Sequence, residues 1–498
     1  MAPTQIVENG SSTNILSIAN MPVLWACALG VFAVIILQSV IYIRAARKAA
    51  PAAGISTAEL KTSFRSGAVA AIGPSLAVVL VAIALLALFG TPAVLVRIGL
   101  IGSAAYETGA ANIAASTMDA TLGGATYTQQ VFAVAFFAMS IGGAMWMLTT
   151  LIATPLLKRG EHKLAKVNPL IMTVVPAAAL LAAFISIGIG EIPKSSAHLL
   201  TLLTAGAVMA VPVPREAAEP GLAARMGPGL RDCRSPLRRL RRPHRRPRPS
   251  RMTAQLSGRN NPMTTTLSPA QATADLAEFD RTTSRWGRLT MIAGLIISVA
   301  GPLYLVLFAN LGITSTQLWT AVAAVLGTFF VIWLVEPITY FPILGPAAMY
   351  QAFMIGNISN KLLPSVLVAQ TSIGAKPGTD RGNFAAIMAI CGAAAIHLLS
   401  LLIFVGILGT WLINVVPAGV TDVARIYVLP AVMGAVIVQA IISTRQLRPT
   451  LIAFAVVLVV QFVLLPLVPG LAMVPTAVSV IATILFAWFA RKEARSEA

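Results

Sequence analysis

The side chains best placed to do chemistry are two carboxylates, each set with asparagines inside an otherwise apolar stretch. Glu107 and Asn112 lie in TPAVLVRIGLIGSAAYETGAANIAASTMDATLGGATYTQ, which starts at Thr91. Glu336, Asn357 and Asn360 lie in EPITYFPILGPAAMYQAFMIGNISNKLLPSVLVAQTSIGAKPG. A carboxylate at bilayer depth is costly and usually faces a bundle interior, where it can carry a proton or meet a cation. Asparagine amides beside it can hydrogen-bond the amide, carboxylate or hydroxyl groups of a small solute. A plainer reading stands next to this one. Glu107 could sit on a loop between two interfacial helices, and Glu336 could cap a helix beside Pro337.

What must position these groups follows from composition. The chain has 498 residues, is 57% hydrophobic and only 11% charged, and has a mean hydropathy of +0.83. Soluble domains carry about 25% charge. Apolar runs of about 20 residues, the length that crosses a bilayer core, recur along the chain. The expected fold is an all-α polytopic membrane protein with about 11 transmembrane helices. Spans are expected near 23–43, 69–90, 130–153, 169–190 and 197–213, then 289–309, 316–335, 384–411, 426–444, 450–468 and 471–490. The lipid bilayer is thus the first partner. No cleavable signal is apparent ahead of the first span.

Basic residues orient the spans. Arg44, Arg47, Lys48, Lys61 and Arg65 follow the first span, and Lys158, Arg159, Lys163 and Lys166 the third. Arg281, Arg285 and Arg288 precede the sixth; Arg445 and Arg448 follow the ninth; Arg491, Lys492 and Arg495 follow the last. All fall in the cytoplasm if the N-terminus is outside a bacterial inner membrane. Ser56-x-x-Glu59 and Ser268-Pro269-x-Gln271 read as capping boxes, expected to open short surface helices leading into spans.

The two polar stretches are too rich in Gly, Pro and small residues for plain spans, and irregular backbone at membrane depth needs protein or water around it. Re-entrant hairpins are expected near 91–128 and 336–376. Each half then reads span, span, hairpin, span, span, span, with one extra span at the end. The first half starts outside and the second inside, the pattern of an inverted repeat with a substrate site near the bilayer midplane. GAANIA around Asn112 and IGNIS around Asn357 hold comparable hairpin positions, whereas IGP at Ile72–Pro74 and LGP at Leu344–Pro346 do not correspond.

LKTSFRSGAVAAIGPSLAVVLVAIAL, followed by RIGLIGSAAYETGAANIAAS, resembles an uncharacterised bacterial family of small multi-pass membrane proteins, over roughly residues 20–213. EPITYFPILGPAAMYQAFMIGNISNKLLPSVLVAQ resembles a second family of small membrane proteins, over roughly residues 263–490. Members of the second are sometimes labelled small-conductance mechanosensitive channels, and the two are often neighbouring genes. The resemblance implies a two-part permease whose halves pair in the membrane. It brings no substrate and no functional residue with it. No Arg-rich paddle or glycine-alanine pore helix leading to a soluble β domain supports the channel label.

The chemistry classes narrow further. No Walker-type loop, HExxH or CxxC occurs, so neither an enzyme nor a cofactor or metal protein is expected. His198 and His397 read as hydrogen-bonded bundle residues, and Tyr106, Tyr340 and Tyr350 as packing or interface residues. The leading expectation is a secondary transporter of a small polar organic solute, coupled to H⁺ or Na⁺ through Glu107 or Glu336. A passive channel and an accessory membrane subunit are the alternatives.

Between the halves, 1–213 and 268–498, runs an Arg/Pro-rich arm. It holds twelve arginines from Arg215 to Arg251 and no aromatic residue, so nucleic-acid binding is not expected. The preceding span stops short, lysine vanishes, and MTTTLSPAQATADLAEF from Met263 reads like a fresh N-terminus. This break implies a frame slip that fused two genes, with 214–267 a disordered cytoplasmic tether. Sequencing the gene across codons 205–265 is expected to reveal an inserted or deleted base relative to related genes. An uninterrupted frame that close relatives retain would overturn the fusion reading.

Overall fold

The structure is a computed structural model that describes residues 10–159, 169–211, 268–471 and 474–490. The arginine-proline arm, Cys233 and the last basic cluster lie outside the described residues. Every regular element among the described residues is helical. Among the described residues nine helices are long and apolar enough to cross a membrane, consistent with a helical membrane protein. Their outward faces carry large apolar side chains, among them Leu29, Leu80, Ile152, Phe308, Phe330 and Leu451, a coverage that soluble monomers do not tolerate. Two further expected spans are shorter helices, Ser196–Ala210 and Pro475–Phe489.

The first part contains α1 (Pro22–Ala49), α2 (Thr57–Phe89), α3 (Thr91–Leu100), α4 (Ala104–Ser116), α5 (Gln129–Arg159), α6 (Pro169–Glu191) and α7 (Ser196–Ala210). After the arm come α8 (Pro269–Phe308), α9 (Ser315–Ile355), α10 (Leu363–Ser372), α11 (Asp380–Ser400), α12 (Ala418–Thr444), α13 (Leu447–Val459) and α14 (Pro475–Phe489). A π-helical turn at Ile358–Leu362 leads into α10, and another at Leu401–Ile407 extends α11.

Both capping boxes form. Ser56 Oγ accepts from the Glu59 amide while the Glu59 carboxylate accepts from the Ser56 amide at 2.8 Å. Ser268 and Gln271 do the same, and Thr314 with Gln317 adds a third. These caps do not open separate surface helices. They begin α2 and α8 themselves, which run on unbroken into the spans because nothing between cap and apolar run interrupts the helix. Likewise the stretch from Glu336 does not leave the membrane helix. Pro337 and Pro342 are absorbed within α9, and the break comes only at Gly345.

That break has a counterpart. Gly345 (φ 72°, ψ 165°) and Gly90 (φ 72°, ψ 164°) share a backbone conformation open essentially to glycine alone. Each precedes a short helix with proline in its first turn, α3 and residues 346–355. Each short helix ends at a second positive-φ glycine, Gly102 (φ 64°) or Gly356 (φ 70°). Aligned on Pro92 and Pro346, the two segments share a spacing of five: Pro92, Arg97, Gly102, Glu107 against Pro346, Gln351, Gly356, Lys361. Ile101-Gly102-Ser103 therefore answers Ile355-Gly356-Asn357. The GAANIA and IGNIS correspondence does not hold, because Asn112 lies well inside α4 whereas Asn357 stands in the break itself.

Packing between the parts is reciprocal. α2 lies along α11, and α5 lies along α9. α1 and α8 run antiparallel: Tyr42 donates to the Thr283 carbonyl, Gln38 to Thr290 Oγ1, and Gly301 accommodates Leu24. At one end, three ion pairs join the parts: the exposed Lys48–Glu278 and Lys158–Asp280 and the half-buried Arg381–Glu59. Each contributes about 0–1 kcal/mol.

The two breaks meet. The Asn357 amide donates to the Ile101 carbonyl at 3.1 Å. A Cβ on Gly356 would overlap Ile101 backbone, and one on Gly102 would press on the Ile355 carbonyl. Gly356→Ala is therefore expected to cost about 2 kcal/mol or more, through positive φ and backbone overlap. Gly54→Ala, at φ 65° with open space around it, is expected to cost about 1 kcal/mol. Unfolding in detergent compares them, and equal losses would contradict the close approach.

Candidate functional site

The site is built where the glycine breaks cross. On the first-part side, Arg97 of α3 reaches Glu107 of α4 through a two-point contact: Nε donates to Oε2 at 2.9 Å and Nη2 to Oε1 at 3.0 Å. Nη2 also donates to the Met139 carbonyl of α5 at 2.9 Å. The side chains are 2% and 1% exposed, so the pair is taken fully out of water. Such a pair gains from its fork geometry what it loses in desolvation. Gly142 and Gly143 of α5 leave the room it needs, since a Cβ on Gly143 would overlap the Arg97 guanidinium and one on Gly142 the Tyr106 hydroxyl.

Glu107 is thus neither on an exposed loop nor free to titrate alone. It staples the short helix to α4 across the break. Tyr106 donates to the same Met139 carbonyl at 2.8 Å. Its ring meets Trp146 edge-on at 4.7 Å and Phe329 at 4.8 Å between centroids, and Trp146 meets Trp333 at 5.7 Å. This aromatic wall joins α4, α5 and α9.

Glu336 stands behind the wall. Trp146 Nε1 donates to its Oε2 at 2.6 Å. Among the ion pairs of the described residues Glu336 has no part. The two candidate carboxylates are therefore connected, through Arg97, the Met139 carbonyl, Tyr106 and Trp146, yet differ in kind. One is neutralised by a cation and one is held by an indole alone. One turn beyond Glu336, Tyr340 bonds Ser359 in the π-helical turn of the second break.

The asparagines separate. Asn357 holds the crossing through its backbone in the left-handed region (φ 50°, ψ 47°), a conformation Asn tolerates better than most residues. Asn112, on α4, buries an Oδ1 that has no hydrogen-bond partner. Asn360 is exposed. Two further groups stand at the crossing: Lys361, which the sequence did not single out, and His397, which reads from sequence as a hydrogen-bonded bundle residue. Lys361 is fully buried and its Nζ makes no hydrogen bond among the described residues. His397, also fully buried on α11, donates from Nε2 to the Ile98 carbonyl of α3 at 3.1 Å, leaving Nδ1 without a partner. His198 fits its bundle role, with Nδ1 2.7 Å from Ser195 Oγ. Arg97 and Lys361 were findable from the five-residue spacing about the glycines; Trp146 and His397 carry no local signal. No cluster of metal-ligating side chains occurs among the described residues.

Arg97→Met strands a buried carboxylate and is expected to destabilise the protein by about 3–5 kcal/mol, while Arg97→Met with Glu107→Leu recovers most of that loss. Chemical unfolding of the two proteins in detergent checks this. A double variant as unstable as the single would show that Arg97 acts through packing alone.

A family described as a domain of unknown function, DUF5058, matches residues 20–215, the stretch for which the sequence resembled an uncharacterised membrane family. No curated protein and no solved structure matches the chain.

Proposed function

We propose that the protein is a secondary transporter of a small polar organic solute, with its binding site where the two broken helices cross. The observation that carries this reading is the meeting of the breaks: two matched short helices, each bounded by positive-φ glycines, touching backbone to backbone at Ile101 and Asn357. Broken helices of this kind put unpaired peptide groups and helix ends around a solute in many carriers. The reciprocal pairing of α2 with α11 and α5 with α9 suits two halves of opposite orientation that rock against each other. The basic residues Arg44, Arg47, Lys48, Lys158, Arg159 and Arg281 gather toward the end joined by the three ion pairs, which favours that end as cytoplasmic, in a bacterial inner membrane.

Glu336 is the coupling group in this scheme. It is the candidate carboxylate without a cation, so an H⁺ or Na⁺ can neutralise it, and its indole partner on α5 ties its occupancy to the position of the other half. Glu107 has a structural role instead. The test takes a solute identified by thermal-shift screening, since a ligand of the folded state raises its stability, into proteoliposomes. Glu336→Gln is expected to reduce gradient-driven uptake at least tenfold while solute exchange without a gradient continues. Full gradient-driven uptake by Glu336→Gln would overturn the assignment, and unitary currents under membrane tension would replace the carrier with a channel.

A further inference from the structure

The repeat spacing makes Lys361 the counterpart of Glu107, and Gln351 the counterpart of Arg97. In the first part these positions form a closed ion pair. In the second they cannot. Gln351 is neutral and its amide is engaged by Ser39 Oγ at 3.0 Å and Cys391 Sγ at 3.3 Å. Lys361 is consequently an enclosed ammonium with no ion-pair partner among the described residues. Proteins rarely keep such a group without an anion to meet it.

Its surroundings are set by the crossing. The Lys361 amide bonds the Asn357 carbonyl, the Asn357 amide bonds Ile101, and His397 bonds Ile98 one turn earlier on α3. Both groups therefore attach to the same stretch of α3 and its end, His397 through Ile98 and the Lys361 turn through Ile101. The Ile98 and Ile101 carbonyls, at the negative end of α3, are thus already occupied, while α4 starts at the crossing with its positive end. Among the described residues, two buried groups at this point have no hydrogen-bond partner: Lys361 Nζ, a cation, and His397 Nδ1, an acceptor.

We propose that Lys361 binds the carboxylate of the solute and that His397 Nδ1 accepts a hydrogen bond from a hydroxyl or ammonium group beside it, so that the substrate class is small hydroxy- or amino-monocarboxylates. The proposal rests on the transport reading above, because an enclosed ammonium meets a solute only if the halves part. A single cation suits one carboxylate better than two, and the acceptor distinguishes a hydroxy acid from a plain fatty acid.

The test is thermal unfolding of the purified full chain in detergent with sodium lactate, alanine, sodium propionate or lactamide, against sodium chloride at equal ionic strength. Lactate or alanine is expected to raise the midpoint, propionate to need at least tenfold more for the same shift, and lactamide to do nothing. Lys361→Met is expected to abolish the response while melting no lower than the wild type in chloride; Lys361→Gln provides a second loss of charge. The proposal falls if neither lactate nor alanine shifts the wild type, if both variants respond as the wild type does, or if both are markedly less stable without ligand, which would make Lys361 structural. The measurement reads binding alone, so its failure is distinct from failure of the Glu336 flux experiment.

Discussion

The hydrogen bond from the Asn357 amide to the Ile101 carbonyl, with the glycine contacts around it, is the constraint on which the rest of the structure depends. Backbone can approach backbone this closely only where no Cβ intervenes, and Gly102 and Gly356 meet that condition from opposite parts of the chain. Once the breaks touch, the short helices α3 and 346–355 are fixed, and the polar groups they carry must find partners inside the bundle. Arg97 finds Glu107 and Met139; Gln351 finds Ser39 and Cys391. The flanking long helices then exchange partners across the crossing.

The two parts use the same scaffold for different chemistry. In the first, a cation and a carboxylate cancel, and the result is a rigid staple lined by aromatic rings. In the second, an amide and a lysine leave charge uncancelled. Glu336 sits on the far side of Tyr106 and Trp146 from the staple. A charge appearing or vanishing there acts on α5 directly, through the indole that it holds. The two break segments thus share glycine conformations and spacing while the charges they carry differ.

Much of this was legible in the sequence, and for definite reasons. The apolar periods and the caps at Ser56 and Ser268 mark helices locally, and the polar stretches near 91–128 and 336–376 stand out against lipid-like composition. Pro337 and Pro342 read as breakers, so the second stretch is expected to open at Glu336, yet the helix runs through both and breaks only at Gly345. The partner of Glu107 was ten residues away and readable only once the break at Gly102 was known to fold α3 back toward α4. The indole of Trp146 and the imidazole of His397 come from distant helices, so no spacing rule reaches them. The correspondence of Glu107 with Lys361 is hidden in the sequence because the two positions share a spacing from their glycines but carry opposite charge.

The bonds that join the two parts, from Tyr42–Thr283 and Gln38–Thr290 to Lys48–Glu278 and Asn357–Ile101, all lie outside residues 212–267. Among the described residues, the seam between the parts is made by the helices themselves. A peptide connection adds only proximity, raising the effective concentration of one part near its mate. Because both sides of the crossing belong to one chain, each copy of the Gly102 break comes with one copy of the Gly356 break that it meets.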